Sequence, residues 1–477
     1  MSTMGNHKET QLIELFERWA QQTAVSINPL PPSGSYREYY RIKSSGRQAL
    51  AVYNPDAKEN RAFIEFARHF KKCDLNVPQI YAENRSANIY LVEDLGDLTL
   101  FDYLSSVYKN GIFPQELIDT YKNVIAELPR FQIVAGKTLD YRYCYPRKRF
   151  DKRSMMWDLN YFKYYFLKLA RVNFDEQELE NDFQKFVSYL LTAPHDFFLY
   201  RDFQSRNVML LDNKPYFIDF QGGRRGALQY DIASLLYDAK ADIPQHIRME
   251  LLEEYIRQLE KYIPVNRQEF IALFWGFVLI RIMQAMGSYG FRGFYEKKEH
   301  FLRSIPYSIA NLHYILNHVV LPVKIPTLWR VLNALPDSPH LKKLSKPPSS
   351  LKVSIFSFAY KRGIPTDQSG NGGGFVFDCR AILNPGRYEE FKALDGRHPR
   401  VAEFLENQAD IKSFLEPIYK IIERSVANYL ERKFTHLMVN FGCTGGQHRS
   451  VYCAEKLAEY LKSRFDIQVE VRHRELE

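Results

Sequence analysis

Asp202, Asn207 and Asp219 stand in the stretch YRDFQSRNVMLLDNKPYFIDFQGG, Tyr200 to Gly223, around two short apolar runs. Four residues separate Asp202 from Asn207, and Asp219 follows the second apolar run. These residue types suit phosphoryl transfer, which needs an aligned hydroxyl acceptor and neutralised charge more than covalent help. One Asp can take the hydroxyl proton, while an Asn and a second Asp offer the hard oxygen ligands that Mg²⁺ prefers. D-x-x-x-x-N is the spacing of kinase catalytic loops. The intervening LLDNKPYFI carries the turn residues of a β-hairpin. Capping of turns would explain any one of these residues alone, and the complete order favours catalysis.

A second cluster, GCTGGQHRS from Gly442 to Ser450, lies between the apolar HLMVNF and the helical pattern VYCAEKLAEYL. A Gly-rich turn at a helix N-terminus presents unpaired N–H groups and a favourable dipole to an anion. Thr444 and Ser450 add hydroxyls, and Arg449 adds a fork that matches phosphate oxygens. Cys443 and Arg449 also have the C-x5-R spacing of cysteine-dependent phosphatases, in which a thiolate attacks phosphate. Gly442 stands where those enzymes carry His, Asp395 is the available guess at a general acid, and a small buried Cys ending a strand is the alternative.

Elements must hold these residues in place. SINPLP, YYRIKSS, QALAVY and NIYLVED read as strands, and AKENRAFIEFARHFKKC as a helix. Helical patterns dominate after Phe113, apart from NVMLL and PYFIDF. Strands followed by helices predict a two-lobed α+β domain. LNALPDSPHLKKLSKPPSS, Leu332 to Ser350, is rich in Pro, Ser and Lys and suits an exposed linker. Beyond it, strands near Val353 and Phe375, a helical stretch from Pro399 to Arg432, HLMVNFG, a helix from Ser450, and IQVEVRHR alternate as in an α/β domain. The expected domains are therefore 8–331, a linker over 332–350, and 351–477.

The 477 residues exceed one compact core, and 45% hydrophobic with 25% charged residues excludes a disordered chain. A net charge of +9 favours anionic ligands, among them nucleotides, sugar phosphates and RNA. RYCYPRKRFDKRSMMWDLNYFKYYFLK mixes basic and aromatic residues that could stack on RNA, yet reads better as a helix with an aromatic core face. Five cysteines without a C-x-x-C pair predict free thiols in a reducing cytoplasm. No secretory pattern opens the chain, and FIALFWGFVLI, ending before Arg281, reads as a buried helix rather than a membrane span.

YRDFQSRNVM with FIDFQGGRRGALQYDIASLL resembles the aminoglycoside phosphotransferase-like kinases, nearest the branch of anomeric N-acetylmuramate/N-acetylglucosamine kinases. YLVEDLGDLTLFDYL resembles the hinge of that branch and GSYREYYRI its phosphate loop. The resemblance implies an α+β bilobal protein-kinase-like fold. It makes Asp202 the catalytic base, Asn207 and Asp219 the Mg²⁺ ligands, and Gly34, Ser35, Tyr36, Arg37, Glu93 and Leu95 the ATP-binding positions. It also makes Asp231 a brace for the catalytic loop, where a helix cap is the alternative, and Asp158 a candidate partner of a sugar hydroxyl. Tyr200 replaces the loop His, Gln221 the Gly after DF, and Tyr53 the strand Lys that meets nucleotide phosphates, so Lys43, Arg37 or Arg41 must supply that charge.

GCTGGQHRSVYCAEKL, SFSFAYKRGIP, FVFDCRAILNPG and VRHRELE resemble the C-terminal domain of the RNase adaptor RapZ. That family implies binding of glucosamine-6-phosphate at Thr444, Gly445, Gly446, Gln447, His448, Arg449 and Ser450, with Asp378 and Asn384 as weaker candidates. The insert TDQSGNGGG departs from its loop, and the adaptor's N-terminal GxxxxGK[ST] motif does not occur. The expectation is a cytoplasmic ATP- and Mg²⁺-dependent kinase of an amino-sugar hydroxyl, fused to a smaller α/β phosphosugar-sensing domain, with no membrane partner. The alternatives are a RapZ-like regulatory or RNA-binding adaptor with a degenerate kinase lobe, and a Cys443-dependent phosphatase.

Overall fold

The structure, a computed structural model, describes residues 2–31, 37–108, 112–339, 341, 351–367, 369, 373–407, 409–432, 434–465 and 467–476. The chain divides into two compact units, the first formed by residues 1–296 and 304–342 and the second by 297–303 and 343–477.

The first unit opens with a five-stranded antiparallel sheet. β1 (Ser26–Pro29), β2 (Glu38–Lys43), β3 (Gln48–Tyr53), β4 (Ile80–Asn84) and β5 (Ile89–Val92) lie in the order β1-β2-β3-β5-β4. Alternation puts Ala49 and Ala51 of β3 on one face, where they meet Leu12, Leu15 and Phe16 of the helix Ser2–Ala20. The helix Ala57–Lys72 starts at Asp56, whose carboxylate accepts from the N–H groups of Lys58 and Glu59. Its buried face includes Phe63, which stacks on Phe220 at 5.0 Å. That contact fixes the helix against the residue after Asp219.

The helical part encloses two small strand pairs. β6 (Phe197–Leu199) pairs with β9 (Arg224–Gly226), and β7 (Val208–Leu211) forms a hairpin with β8 (Lys214–Phe217). Asp212 and Asn213 turn the hairpin at φ 50° and 59°, the left-handed pair that a two-residue turn requires. FIALFWGFVLI lies within a longer helix, Arg267–Tyr289. With its final π-helical turn, to Tyr295, this is long and apolar enough to cross a membrane, and 72% of its apolar window is buried inside the protein.

Two expectations are corrected. The helix expected through RYCYPRKRF begins only at Lys152, capped by Asp151, and the preceding residues run beside β9 instead. The expected exposed linker starts too early, because the helix Pro326–Ala334 includes Leu332, and Leu332, Leu335 and Leu341 are fully buried. The Asp182 carboxylate caps that helix remotely, accepting from Thr327 N and Leu328 N at 2.7 and 3.0 Å. Residues 342–350 lie outside the described residues.

In the second unit, β10 (Lys352–Ala359), β11 (Phe375–Asp378), β12 (His436–Cys443) and β13 (Gln468–His473) form a parallel sheet in the order β11-β12-β10-β13. β12 is buried throughout, as an inner strand covered on both faces must be. The expected helical stretch from Pro399 is two helices, Pro399–Glu406 and Ala409–Glu431. The helix Arg449–Arg464 follows β12 directly across the GCTGGQHRS turn.

Candidate active site

Asp202 and Asp219 sit at the two ends of the β7–β8 hairpin segment. Asn207 joins them: its amide nitrogen donates to the Asp202 carbonyl at 2.8 Å and to Asp219 Oδ2 at 3.4 Å. The Asn207 carbonyl also accepts from Ile218 N–H at 3.1 Å. Tyr200, fully buried where the related loop carries His, donates its hydroxyl to the Ile218 carbonyl at 2.7 Å. Arg201 and Asp219 hold φ values of 83° and 66°, each costing on the order of 1–3 kcal/mol in a non-glycine residue.

The surroundings impose that strained backbone. Asp231, in the first turn of the helix Gln229–Leu236, accepts from Tyr200 N at 2.8 Å, Arg201 N at 3.0 Å and Gln132 Nε2 at 2.9 Å. The helix cap at Leu228 makes no side-chain bond, so Asp231 serves the loop. Burial pushes Asp231 up to about 7 against the pull of these donors. Arg201 forks onto both oxygens of Asp158 at 2.8 and 2.9 Å, which occupies the carboxylate expected to meet a sugar hydroxyl. Asp202 is half-buried, and burial followed by the Asp219 carboxylate raises it above the ordinary carboxylate range, against Arg201, Arg281 and Arg224.

Of the three cations that could replace the strand lysine, Arg37 is the one beside the site. It bonds Glu59 at 3.0 Å and Asp219 Oδ1 at 3.3 Å, with its side chain 3% exposed. Burial alone would depress it, yet Tyr90, Tyr39 and the two carboxylates hold it above its usual value. Arg41 is engaged by Asp94 and Asp97 instead, and Lys43 is exposed at the end of β2. Gly34, Ser35 and Tyr36 lie outside the described residues. At the hinge, Glu93 N–H donates to the Gln79 carbonyl at 2.9 Å and Leu95 is buried.

The second cluster forms a loop between β12 and its helix. Gly446 has φ 69°, and a Cβ there would stand 2.3 Å from Glu475 Cγ, so only glycine fits. Gln447 Nε2 donates to the Lys392 and Leu394 carbonyls at 3.0 and 2.7 Å, and His448 Nε2 to Phe391 at 2.9 Å. Arg449 Nη1 donates to the Arg380 and Ile382 carbonyls, both at 2.9 Å, and Nη2 reaches Thr444 Oγ1 at 3.5 Å. Buried Ser450 lies 3.1 Å from Cys443 Sγ, which also accepts from Gly446 N–H at 3.1 Å. Thr444 and Gly445 are the exposed members. Asp378 pairs with Arg380, Asp395 with Arg397, and Asn384 accepts from Gly386 N–H.

The sequence model of the phosphotransferase enzyme family matches residues 26–270, just over half of the chain. The chain belongs to that family. The model of the RapZ C-terminal domain matches residues 351–477 of this phosphotransferase family member. A nucleotide-binding protein of Endomicrobium trichonymphae is 40% identical over 126 residues, 26% of this chain and 42% of that one. A nucleotide-binding protein of Xylella fastidiosa strain M12 is 35% identical over 170 residues, 36% of this chain and 50% of that one. The chain thus spans half or less of the length of these two relatives. Choline kinase LicA from Streptococcus pneumoniae superposes with TM-score 0.40 and 13% identity, over 64% of this chain and 99% of that one.

Within the phosphotransferase domain, the oxygens of Asn207 and Asp219 suit a hard cation. Among the described residues there is no group of three or more His, Cys, Asp or Glu placed to hold a metal. Mg²⁺ needs none, because it keeps waters and takes one or two carboxylates together with substrate phosphates. Asp219 Oδ1 is meanwhile covered by Arg37 and by Gln221 Nε2 at 2.6 Å. Sequence reasoning missed Glu59 and Gln132, and it noted Gln221 only as a replacement for Gly, not as a partner of Asp219. Glu59 had a readable signal, an acid in the first turn of the helix after the lysine-less strand. Gln132 acts through a tertiary contact, to Asp231, that spacing does not encode.

Proposed function

We propose that this phosphotransferase family member is an ATP- and Mg²⁺-dependent kinase that acts on an amino-sugar hydroxyl, in a chain whose second unit binds a phosphorylated amino sugar such as glucosamine-6-phosphate. The observation that carries the reading is the Asn207 amide, which ties the Asp202 loop to the Asp219 carboxylate. Asp202 accepts the proton of the acceptor hydroxyl as that oxygen bonds the γ-phosphorus of ATP and the γ-phosphorus–oxygen bond to ADP breaks, releasing ADP. Asn207 and Asp219 would hold Mg²⁺, which when bound would offset charge on the phosphate oxygens. Arg37, anchored by Glu59, turns its charge to the same phosphates in place of the absent strand lysine. Asp231 keeps the loop in its strained form, so the base is in position before substrate arrives. In the second unit, Thr444 and Gly445 meet the phosphate at the helix N-terminus, and the remaining loop residues hold its shape.

ATP consumption across a panel of amino sugars tests this, with wild type and Asp202→Ala side by side. Loss of one general base costs about 10²–10⁴ in rate. A second reading, a regulatory nucleotide-binding protein with a silent kinase lobe, draws support from the names of the relatives and from Arg37 covering Asp219. It predicts nucleotide binding without sugar-dependent turnover.

A further inference from the structure

Lys58 and Arg61 of the helix Ala57–Lys72 have no part in the catalytic scheme. They line a cavity of about 340 Å³ together with Arg142, Tyr143, Cys144 and Tyr145, and none of the six is acidic. Among the described residues, the side chains of Lys58 and Arg61 make no hydrogen bond and no ion pair. The Arg61 guanidinium lies over the Tyr143 ring at 4.8 Å, a cation–π contact that holds the head group without using its N–H donors. Nearby acids are already engaged. Asp140 pairs with Arg142, while Asp56, whose charge acts on Lys58, accepts from Lys58 N, Glu59 N and the Tyr145 hydroxyl.

A second cavity, of about 280 Å³, shares Lys58 and Arg61 and reaches Ile64, Ile89 and Tyr90. Its acid, Glu83, is paired with Arg68 and Arg85. Asn60, 6% exposed, also lines it, and its Oδ1 has no hydrogen-bond partner among the described residues. A buried acceptor is costly until a donor reaches it. The same residue starts a path to the catalytic site. Asn60 Nδ2 donates to the Asn54 carbonyl at 2.8 Å, and Asn54 Nδ2 to Glu59 Oε2 at 2.8 Å. Glu59 pairs with Arg37, which pairs with Asp219. The two cations and the anchor of Arg37 therefore share the first two turns of one helix.

We propose that the larger cavity is a second anion site of this unit, separate from Asp219, and that it takes a small phosphate monoester. Lys58, Arg61 and Arg142 hold the phosphate oxygens, and the organic part packs against Tyr143 and Tyr145. Several oxygens on one dianion suit three converging cations, and the cavity has room for a ring-sized body beside the phosphate. An anion beside the first turns of a helix also favours its N-terminal dipole. The ligand thus steadies the turn that carries Glu59, and through Glu59 it steadies Arg37.

Amide hydrogen exchange of the full chain, titrated with phenyl phosphate, inorganic phosphate or phenol, tests this. Wild type is compared with a double variant, Lys58→Gln with Arg61→Gln, in which both altered side chains are exposed and the fold is kept. In wild type, phenyl phosphate should slow exchange over residues 57–64 at concentrations about tenfold below those that inorganic phosphate requires. Phenol should have no effect there. The double variant should raise the phenyl phosphate midpoint by about tenfold or more. No slowing over 57–64, equal slowing in the double variant, or phenol or inorganic phosphate as effective as phenyl phosphate overturns the proposal. Slowing confined to Asp202–Asp219 or to Gly442–Ser450 overturns it as well, because the anion then sits at another site. Turnover is not read, so this outcome and the fate of the kinase reading are separate.

Discussion

Tyr200 stands where the related loop carries His, and its hydroxyl spans from the loop of Asp202 to the carbonyl before Asp219. The ring packs edge-on against Phe131, Phe203 and Phe220, so the loop is held by aromatic faces as well as by one polar bond. Tyr200→Phe keeps those faces and orphans the Ile218 carbonyl. The expected cost is about 1–3 kcal/mol in a denaturant titration, together with a lower kcat, because Asp219 loses one of its ties to the loop. A variant as stable and as active as wild type would show that the aromatic packing alone holds the site. Arg37 teaches a related lesson. On the proposed reading the charge absent at Tyr53 is supplied by Arg37, a residue before β2 that pairs with Glu59 and Asp219.

The helix Gln229–Leu236 reaches the catalytic loop through Asp231, and this contact has a signed pH signature. Its folded value of about 7 lies above the ordinary carboxylate value of about 3.9. Between those values the folded chain keeps a proton that the unfolded chain has released. Its contribution to stability is therefore full below about pH 4, falls as pH rises to about 7, and is level beyond, a change on the order of 4 kcal/mol. Unfolding free energies of wild type minus Asp231→Asn, measured from pH 4 to 8, should show that decline. A flat difference would mean the three donors keep Asp231 ionised throughout. At this scale much was legible. Alternation in QALAVY and the Asp-Asn turn predicted β3 and the hairpin, because local pattern and turn chemistry agree there. The three-residue strands β6 and β9 were not legible, since they exist only through pairing with each other. Leu332, Leu335 and Leu341 were hidden in a Pro- and Lys-rich composition, and their burial comes from tertiary packing rather than from the local segment. The order Asp202, Asn207, Asp219 was readable as spacing. The partners that position it, Gln132, Glu59 and Arg37, are brought there by the fold.

At the scale of the whole molecule, each unit carries its own core. The core of the second unit is drawn from residues 351–461, from Leu351 and Val353 to Ala458 and Leu461, around one parallel sheet. A domain of that size with its own core is expected to fold alone. Residues 351–477 expressed by themselves should melt cooperatively by circular dichroism, and a broad, baseline-less melt would contradict that. The central claim concerns the first unit, and one measurement tests it most directly: ADP formation in the presence of Mg²⁺ and single amino sugars, with wild type and Asp202→Ala in parallel. The account predicts sugar-dependent turnover in wild type that falls by about a hundredfold or more in Asp202→Ala. Turnover that survives the substitution, or nucleotide binding with no sugar-dependent turnover in wild type, would contradict it.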